Sequence, residues 1–392
     1  MMRASDCVVS CGAREPSHWN SAFPVLYAEI WSIVRPSPDR ACRAMKHPGR
    51  TPPFRGPRGE LRPGSIAEIA YHRLGGVDQW VMMRGESVGN PVLVLLHGGP
   101  GFPEMRLFRH FNAALEKSFV VIYWDQRGTN KSFDSEIPRA SMTVDQFIAD
   151  LDELVDAVRA RFGKEKVVIY GHSWGSALGA LYAARFPRKV AAYVGAGQIG
   201  NWPASEVSSY AFALAEAERR HNRHALKQLR AIGPPPYTAS AKMVQGKWLG
   251  RFFGIVRGMP LWKFLRVVLG GPEASIFDLP NFWRGMQFSQ RTMWAEVSAL
   301  DLTTSVPKLE MPVYFFLGRH DRIIASETSA AYFELLTAPR KRLLWFEQSG
   351  HEPPFEEPTK FNGAMTEWVR PEDELHRPVS SVSAPERVAI TV

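Results

Sequence analysis

A chain of 392 residues with 45% hydrophobic and 22% charged residues has room for one large α/β domain with an insertion, or for two domains, and is too apolar for global disorder. Its net charge of +9 is unevenly spread: residues 1–60 hold nine Lys and Arg against five Asp and Glu, residues 201–300 hold thirteen against six, and the remainder is close to neutral. A basic tail and a basic insertion around a neutral body do not make the dense basic stripe of a nucleic-acid binder.

The three cysteines, Cys7, Cys11 and Cys42, all fall in the N-terminal tail, so the body has neither internal disulfides nor a thiol nucleophile. No Cys and His group has zinc spacing, and neither a metal nor a cofactor is expected. No apolar run approaches 18 residues, and Glu29 interrupts the apolar stretch Ala22–Val34, which has no small-residue cleavage site after it. The expectation is a cytoplasmic protein without stable membrane insertion, starting at Met1 or Met45.

Residues 1–58 are rich in Arg, Pro, Ser and Gly and read as a poorly ordered extension, with order beginning near Gly64. Ile69–Leu74 and Val77–Arg84 flank Gly75-Gly76, a hairpin signal. Pro91–His97 and Phe119–Trp124 are continuous apolar runs, as in strands buried on both faces. The first breaks at Gly98-Gly99-Pro100-Gly101, the second at Asp125-Gln126-Arg127-Gly128, where an Asp125–Arg127 ion pair would brace the turn.

From Thr143 to Phe162 apolar residues recur with a 3.6-residue period, Thr143 and Gln146 form a capping-box pattern, and Gly163 stops the helix. A strand at Lys166–Tyr170, the turn Gly171-His172-Ser173-Trp174-Gly175-Ser176, a helix Trp174–Phe186 and a strand Lys189–Val194 follow. Residues 198–304 change to aromatic-rich helical patterns, split at Gly233-Pro234-Pro235-Pro236, and read as a helical cap. Within it, Trp248–Gly271 mixes basic and aromatic residues; it reads as a cap helix packed on the core, with a membrane-facing lid as the alternative. Strands Pro312–Leu317 and Lys341–Phe346, with helices Thr328–Leu336 and Pro358–Val369, complete an alternating α/β pattern before a loose tail at 371–392. The organisation expected is thus an extension (1–58), a core in two parts (59–197 and 305–370), a cap (198–304) and a tail (371–392).

The chemistry gathers at strand ends. In an open parallel sheet, sites form beyond the C-terminal ends of the strands. Ser173 follows one end, Gly318-Arg319-His320-Asp321 another, and Glu347-Gln348-Ser349-Gly350-His351 a third. A serine hydroxyl needs a base within hydrogen-bond reach and an acid that orients the base. Ser173 as nucleophile, His351 as base and Asp321 as orienting acid meet that need, with Glu327 or Asp301 as alternative acids. The N–H groups of Trp174 and Gly99 would hold the oxyanion, and the Trp174 indole would wall the pocket. His97, His172 and His320 read as structural.

The order Ser…Asp…His is that of α/β-hydrolases, a fold with a mostly parallel central sheet and helices on both faces. His97–Gly101, Asp125–Gly128 with Ser132, and Gly171–Ser176 together resemble proline iminopeptidases, serine peptidases of that fold that release an N-terminal proline. The resemblance covers about residues 65–195 and 305–370. It implies a small-molecule or short-peptide substrate, an acyl-enzyme, and cap glutamates that hold the substrate's α-ammonium. Glu206 and Glu296 are taken for that role, with Glu216 and Glu218 as further candidates by charge. The chain departs from the family where Phe102 follows the glycine loop, where Thr129-Asn130-Lys131-Ser132 lacks a glycine, and in the cap. An esterase of a small, partly apolar substrate is the alternative function, and a non-catalytic binding protein the third. An epoxide hydrolase or dehalogenase would carry an aspartate in place of Ser173.

Overall fold

The computed structural model describes residues 48–257, 261–273, 275 and 278–370. The cysteines, Met45, Ala22–Val34 and the tail expected at 371–392 lie outside the described residues. Order expected from near Gly64 reaches back at least to Pro48. The reason is tertiary: the buried Trp80 needs an acceptor for its indole N–H and finds Pro48 O at 2.7 Å, while Arg84 Nη1 donates to Pro52 O at 2.7 Å.

The sheet begins with a hairpin. β1 (Ile66–Leu74) and β2 (Val77–Gly85) pair antiparallel through Gly75 and Gly76, whose φ values of 52° and 77° are those of the two-residue turn that matches strand twist. Then follow β3 (Val92–Leu96), α1 (Met105–Phe111), β4 (Val120–Trp124), α2 (Val144–Phe162), β5 (Val167–His172), α3 (Trp174–Arg185) and β6 (Val190–Ala196). Five helices come next: α4 (Trp202–Arg219), α5 (Arg223–Ile232), α6 (Ala239–Arg251), α7 (Leu261–Leu269) and α8 (Leu279–Val297). The chain ends with α9 (Leu302–Ser305), β7 (Val313–Gly318), α10 (Ser326–Leu335), β8 (Lys341–Phe346), α11 (Pro353–Glu356) and α12 (Pro358–Ala364). The sequence reading has no helix at α1 or α11; both are short, with too few turns to show a period.

The eight strands lie in the order β1-β2-β4-β3-β5-β6-β7-β8, antiparallel at β1–β2 and β2–β4 and parallel elsewhere. The fold is α/β, as the alternation predicts. Period-2 geometry sorts each central strand between two cores. Val92, Val94 and Leu96 join the cluster under α2, α3 and α10, whereas Leu93 and Leu95 join the cluster under α1 and Phe361 of α12. Both faces are therefore covered, which is why these strands read as unbroken apolar runs. Helices α4, α5 and α6 share a separate apolar cluster that includes Ala213, Leu229, Trp248 and Phe252. In the stretch read as a cap helix or lid, Trp248, Phe252 and Ile255 are buried, while Phe253 and Trp262 are 57% and 64% exposed. No helix among the described residues is long and apolar enough to cross a membrane.

One ion pair differs from the expectation. Arg127 does not pair with Asp125; its guanidinium forms a two-pronged bond to Asp150 of α2, both contacts at 2.8 Å and fully buried. Asp125 instead accepts from Asn130 Nδ2 and the Lys131 N–H. Two residues apart on one turn, the pair would have braced only that turn. The long arginine reaches α2 and ties it to the sheet and to Gly75 O.

Candidate active site

The turn after β5 has the geometry its glycines imply. Ser173 has φ 53° and ψ −119°, a backbone conformation rare for a residue with a side chain. A Cβ on Gly171 would stand 2.1 Å from Gly175 O, and one on Gly175 would stand 2.1 Å from Leu96 O. Only glycine fits either place, because the elbow presses against its own helix start and against the end of β3.

Three neighbouring strand ends bring the other groups to this turn. β3 pairs with β5, so the loop Gly98–Gly101 lies beside Ser173; a Cβ on Gly98 would be 3.2 Å from the Ser173 Cβ. β8 stands three places from β5, about 14 Å at ~4.8 Å per strand, so the loop after it must reach back. It does so through the Gly318–Gly350 contact, where no side chain fits, and through the bond from His351 N–H to Ile255 O at 2.6 Å. His351 Nδ1 then meets Asp321 Oδ2 at 2.7 Å, with both side chains buried. The other Asp321 oxygen accepts the N–H groups of Ile323 and Ile324 at 2.9 and 3.0 Å, which fixes the carboxylate plane. Of the alternative acids, Asp301 caps α9 and Glu327 pairs with Arg322.

Ser173, His351, Gly98 and Gly99 line a cavity of about 170 Å³. Its walls are largely apolar, with Trp202, Trp283 and Trp294 among them, and Lys242, Gln287, Gln290 and Arg291 add polar groups. Gly98 N–H is committed to Glu104 Oε1 at 2.9 Å, so of the two glycines facing the serine it is Gly99 that is left to offer an N–H. The Trp174 indole does not wall the cavity as expected. It is fully buried, packs edge-on against Phe147 and donates Nε1–H to Gln126 Oε1 at 3.0 Å. The first residue of α3 projects its side chain toward the core, leaving only its N–H at the elbow.

The two glutamates read from the cap do not reach the cavity. Glu206 is buried and pairs with Lys242 at 2.8 Å; Glu296 accepts the N–H of Val144 at the start of α2, at 2.7 Å. The cavity's carboxylates are instead Glu104, just before α1, and Glu352, next to His351. Between them lies His172. Its Nδ1 is 2.7 Å from Glu104 Oε1, its Nε2 2.8 Å from His351 O and 3.7 Å from Glu352 Oε2. The sequence reading took His172 as structural and missed this network. Glu104 is 68 residues from His172 in the chain, and no spacing rule joins them.

His97 and His172 show opposite electrostatics within a few ångström of the same loop. His97 donates Nδ1–H to Gly98 O and accepts Gln126 N–H at Nε2, an arrangement for the neutral ring, and burial lowers its pKa. At His172, burial also pulls downward. Glu104, Glu352 and the hydrogen bonds outweigh it and raise the pKa from 6.5 to about 10. Protonated His172 is favoured by folding, so its contribution is fully present below about pH 6.5, declines above it and is lost as pH passes through about 10. We expect the stability difference between wild type and His172→Gln, from urea unfolding, to shrink steadily over that window. A difference flat from pH 6 to 10 would show that the ring is not held protonated.

The comparisons agree with this geometry. Residues 91–226 match the family described as alpha/beta hydrolase fold. The chain is 33% identical over 309 residues to the "Probable aminopeptidase YbaC" of Bacillus subtilis, covering 78% of this chain and 97% of that one. It is 27% identical over 284 residues to a proline iminopeptidase of Heyndrickxia coagulans, covering 72% and 91%. Among solved structures, the proline iminopeptidase-related protein of Thermus thermophilus superposes with a TM-score of 0.53 at 22% identity, covering 77% and 96%. With its elbow, its sheet order and a 33% identical relative matched over 97% of that relative's length, the chain belongs to the α/β-hydrolase fold family of hydrolytic enzymes.

Proposed function

We propose that this chain is a serine hydrolase that releases an N-terminal proline from short peptides through an acyl-enzyme. The observation that carries the reading is the buried 2.7 Å bond that His351 Nδ1–H donates to Asp321, beside the strained Ser173 elbow, with Ser173 and His351 lining one cavity. In this reading Ser173 Oγ attacks the prolyl carbonyl carbon and gives its proton to His351 Nε2. The carbonyl oxygen takes the negative charge between the N–H groups of Gly99 and Trp174. Collapse of the tetrahedral species breaks the peptide C–N bond, and His351 protonates the leaving amine. Water, deprotonated by His351, then cleaves the acyl ester. Asp321 holds Nδ1–H, so that Nε2 is free to accept. Ser173 makes no side-chain hydrogen bond among the described residues, so its contact with His351 is one that tightens with substrate in place. Residues 198–304 act as the cap over this floor, between the two parts of the core, and supply the tryptophan wall.

That wall favours a second reading, an esterase for a small aryl or alkyl acyl group, because neither Glu206 nor Glu296 reaches the cavity. A paired assay separates the two. Prolyl anilide is expected to be cleaved and its N-acetyl form to be poor. Equal rates on both would remove the aminopeptidase reading, and turnover confined to aryl esters would establish the second.

A further inference from the structure

The cavity floor holds two buried carboxylates and one imidazole that the reaction above does not use. One ligand-type atom from each of Glu104, His172 and Glu352 lies within 4.8 Å of the others. Such a trio resembles a metal site, but the hydrogen bonds exclude that use of His172. Its Nε2 faces His351 O, a carbonyl that can only accept, and its Nδ1 faces Glu104 Oε1, which also takes the Gly98 N–H. Both ring nitrogens therefore donate, and neither has a lone pair to offer a metal. The trio is an ionic network with one cation between two acids.

The network is short of donors. Glu104 is 1% exposed and Glu352 9%, both line the catalytic cavity, and the Oε2 of each has no hydrogen-bond partner among the described residues. The cation paired with Glu352 Oε2 is His172 Nε2, at 3.7 Å, and that nitrogen is already bonded to His351 O. Buried carboxylate oxygens without donors are costly, and a carboxylate on the wall of a largely apolar cavity is satisfied best by a ligand that carries several N–H groups and a positive charge. The network lies next to the residues that would handle the acyl group. A cation held there sits close to the carbonyl under attack, as an amine one carbon from that carbonyl does.

We propose that Glu352, with Glu104 beside it, is the subsite for a cationic amine of the substrate, next to the scissile carbonyl. The inference rests on the aminopeptidase reading only in naming that amine as the substrate's α-ammonium. The acids come from the loop after β3 and the loop after β8, not from the cap.

The test uses the full chain and a readout independent of any substrate: the rate at which a fluorophosphonate labels Ser173, with L-prolinamide or N-acetyl-L-prolinamide as protecting ligand. The wild type is expected to bind the free amine more tightly than the acetylated one by about tenfold to a hundredfold, the worth of a charge-assisted hydrogen bond. Glu352→Gln, which keeps shape and removes charge, is expected to bring that ratio close to one. Glu352→Asp, which restores charge one methylene back, is expected to recover part of it. A ratio near one in the wild type would overturn the proposal, as would an unchanged ratio in a folded Glu352→Gln. If Glu352→Gln does not fold, the ratio is read from Glu352→Asp against wild type, where a lowered ratio supports the site and an unchanged or higher one opposes it. Failure of the aminopeptidase reading looks different: prolyl anilide goes uncleaved while the amine preference and its dependence on Glu352 persist.

Discussion

Ser173→Ala is expected to lower kcat about a millionfold, leave KM for any residual turnover within a few-fold, and abolish fluorophosphonate labelling. Losing the nucleophile removes the covalent route altogether, and what remains is the stabilisation that the oxyanion donors and binding give to a direct attack by water, roughly a thousandfold over solution. The chain should still fold. Alanine at position 173 meets the same φ of 53° as serine, and the Ser176 hydroxyl bonds Ser173 O, not its side chain. Loss of labelling with an unchanged melting temperature is the expected pair of results. Retained labelling would mean that another residue is the nucleophile.

Asp321→Asn is expected to lower kcat about ten-thousandfold with little change in KM. The amide is nearly isosteric, and its oxygen can still accept the N–H groups of Ile323 and Ile324. Its NH₂ then faces His351 Nδ1, which must become the acceptor. The ring proton moves to Nε2, and the imidazole can no longer take a proton from Ser173. The substitution therefore tests tautomer control and not packing. A loss of less than about tenfold would return the acid to Asp301 or Glu327, which the chain order alone also permits. In the fold, Asp301 is occupied at the start of α9 and Glu327 with Arg322.

Much of the fold was legible because it rests on local signals. The helix read from Thr143 begins with that residue accepting Gln146 N–H and ends at Gly163 in the left-handed region, as the cap residues require. The central strands were legible as apolar runs because both of their faces are covered. Short helices such as α1 and α11 were not, since one or two turns carry no period. Glu104 stands at the start of one of them, and its place on the cavity wall went unseen with it. The N-terminal boundary was also misplaced, because the contacts that order residues 48–52 come from Trp80 and Arg84, some thirty residues away.

The candidate site divides the same way. By itself the sequence determined the elbow, since glycines at 171 and 175 around a serine answer to steric limits within a few residues. It also pointed to Asp321 and His351 in loops at the same edge of a parallel sheet as Ser173; that their strands are neighbours came from the fold. Only the tertiary structure decided which carboxylate meets His351, that Arg127 pairs with Asp150, that Glu206 and Glu296 are spent on Lys242 and on a helix start, and that Glu104 and Glu352 line the cavity beside His172 and raise its pKa. The physical reason is range. Backbone conformation is set by neighbours in the chain, whereas the partner of a charged side chain and the proton it holds depend on burial and on groups brought together from strands far apart in sequence.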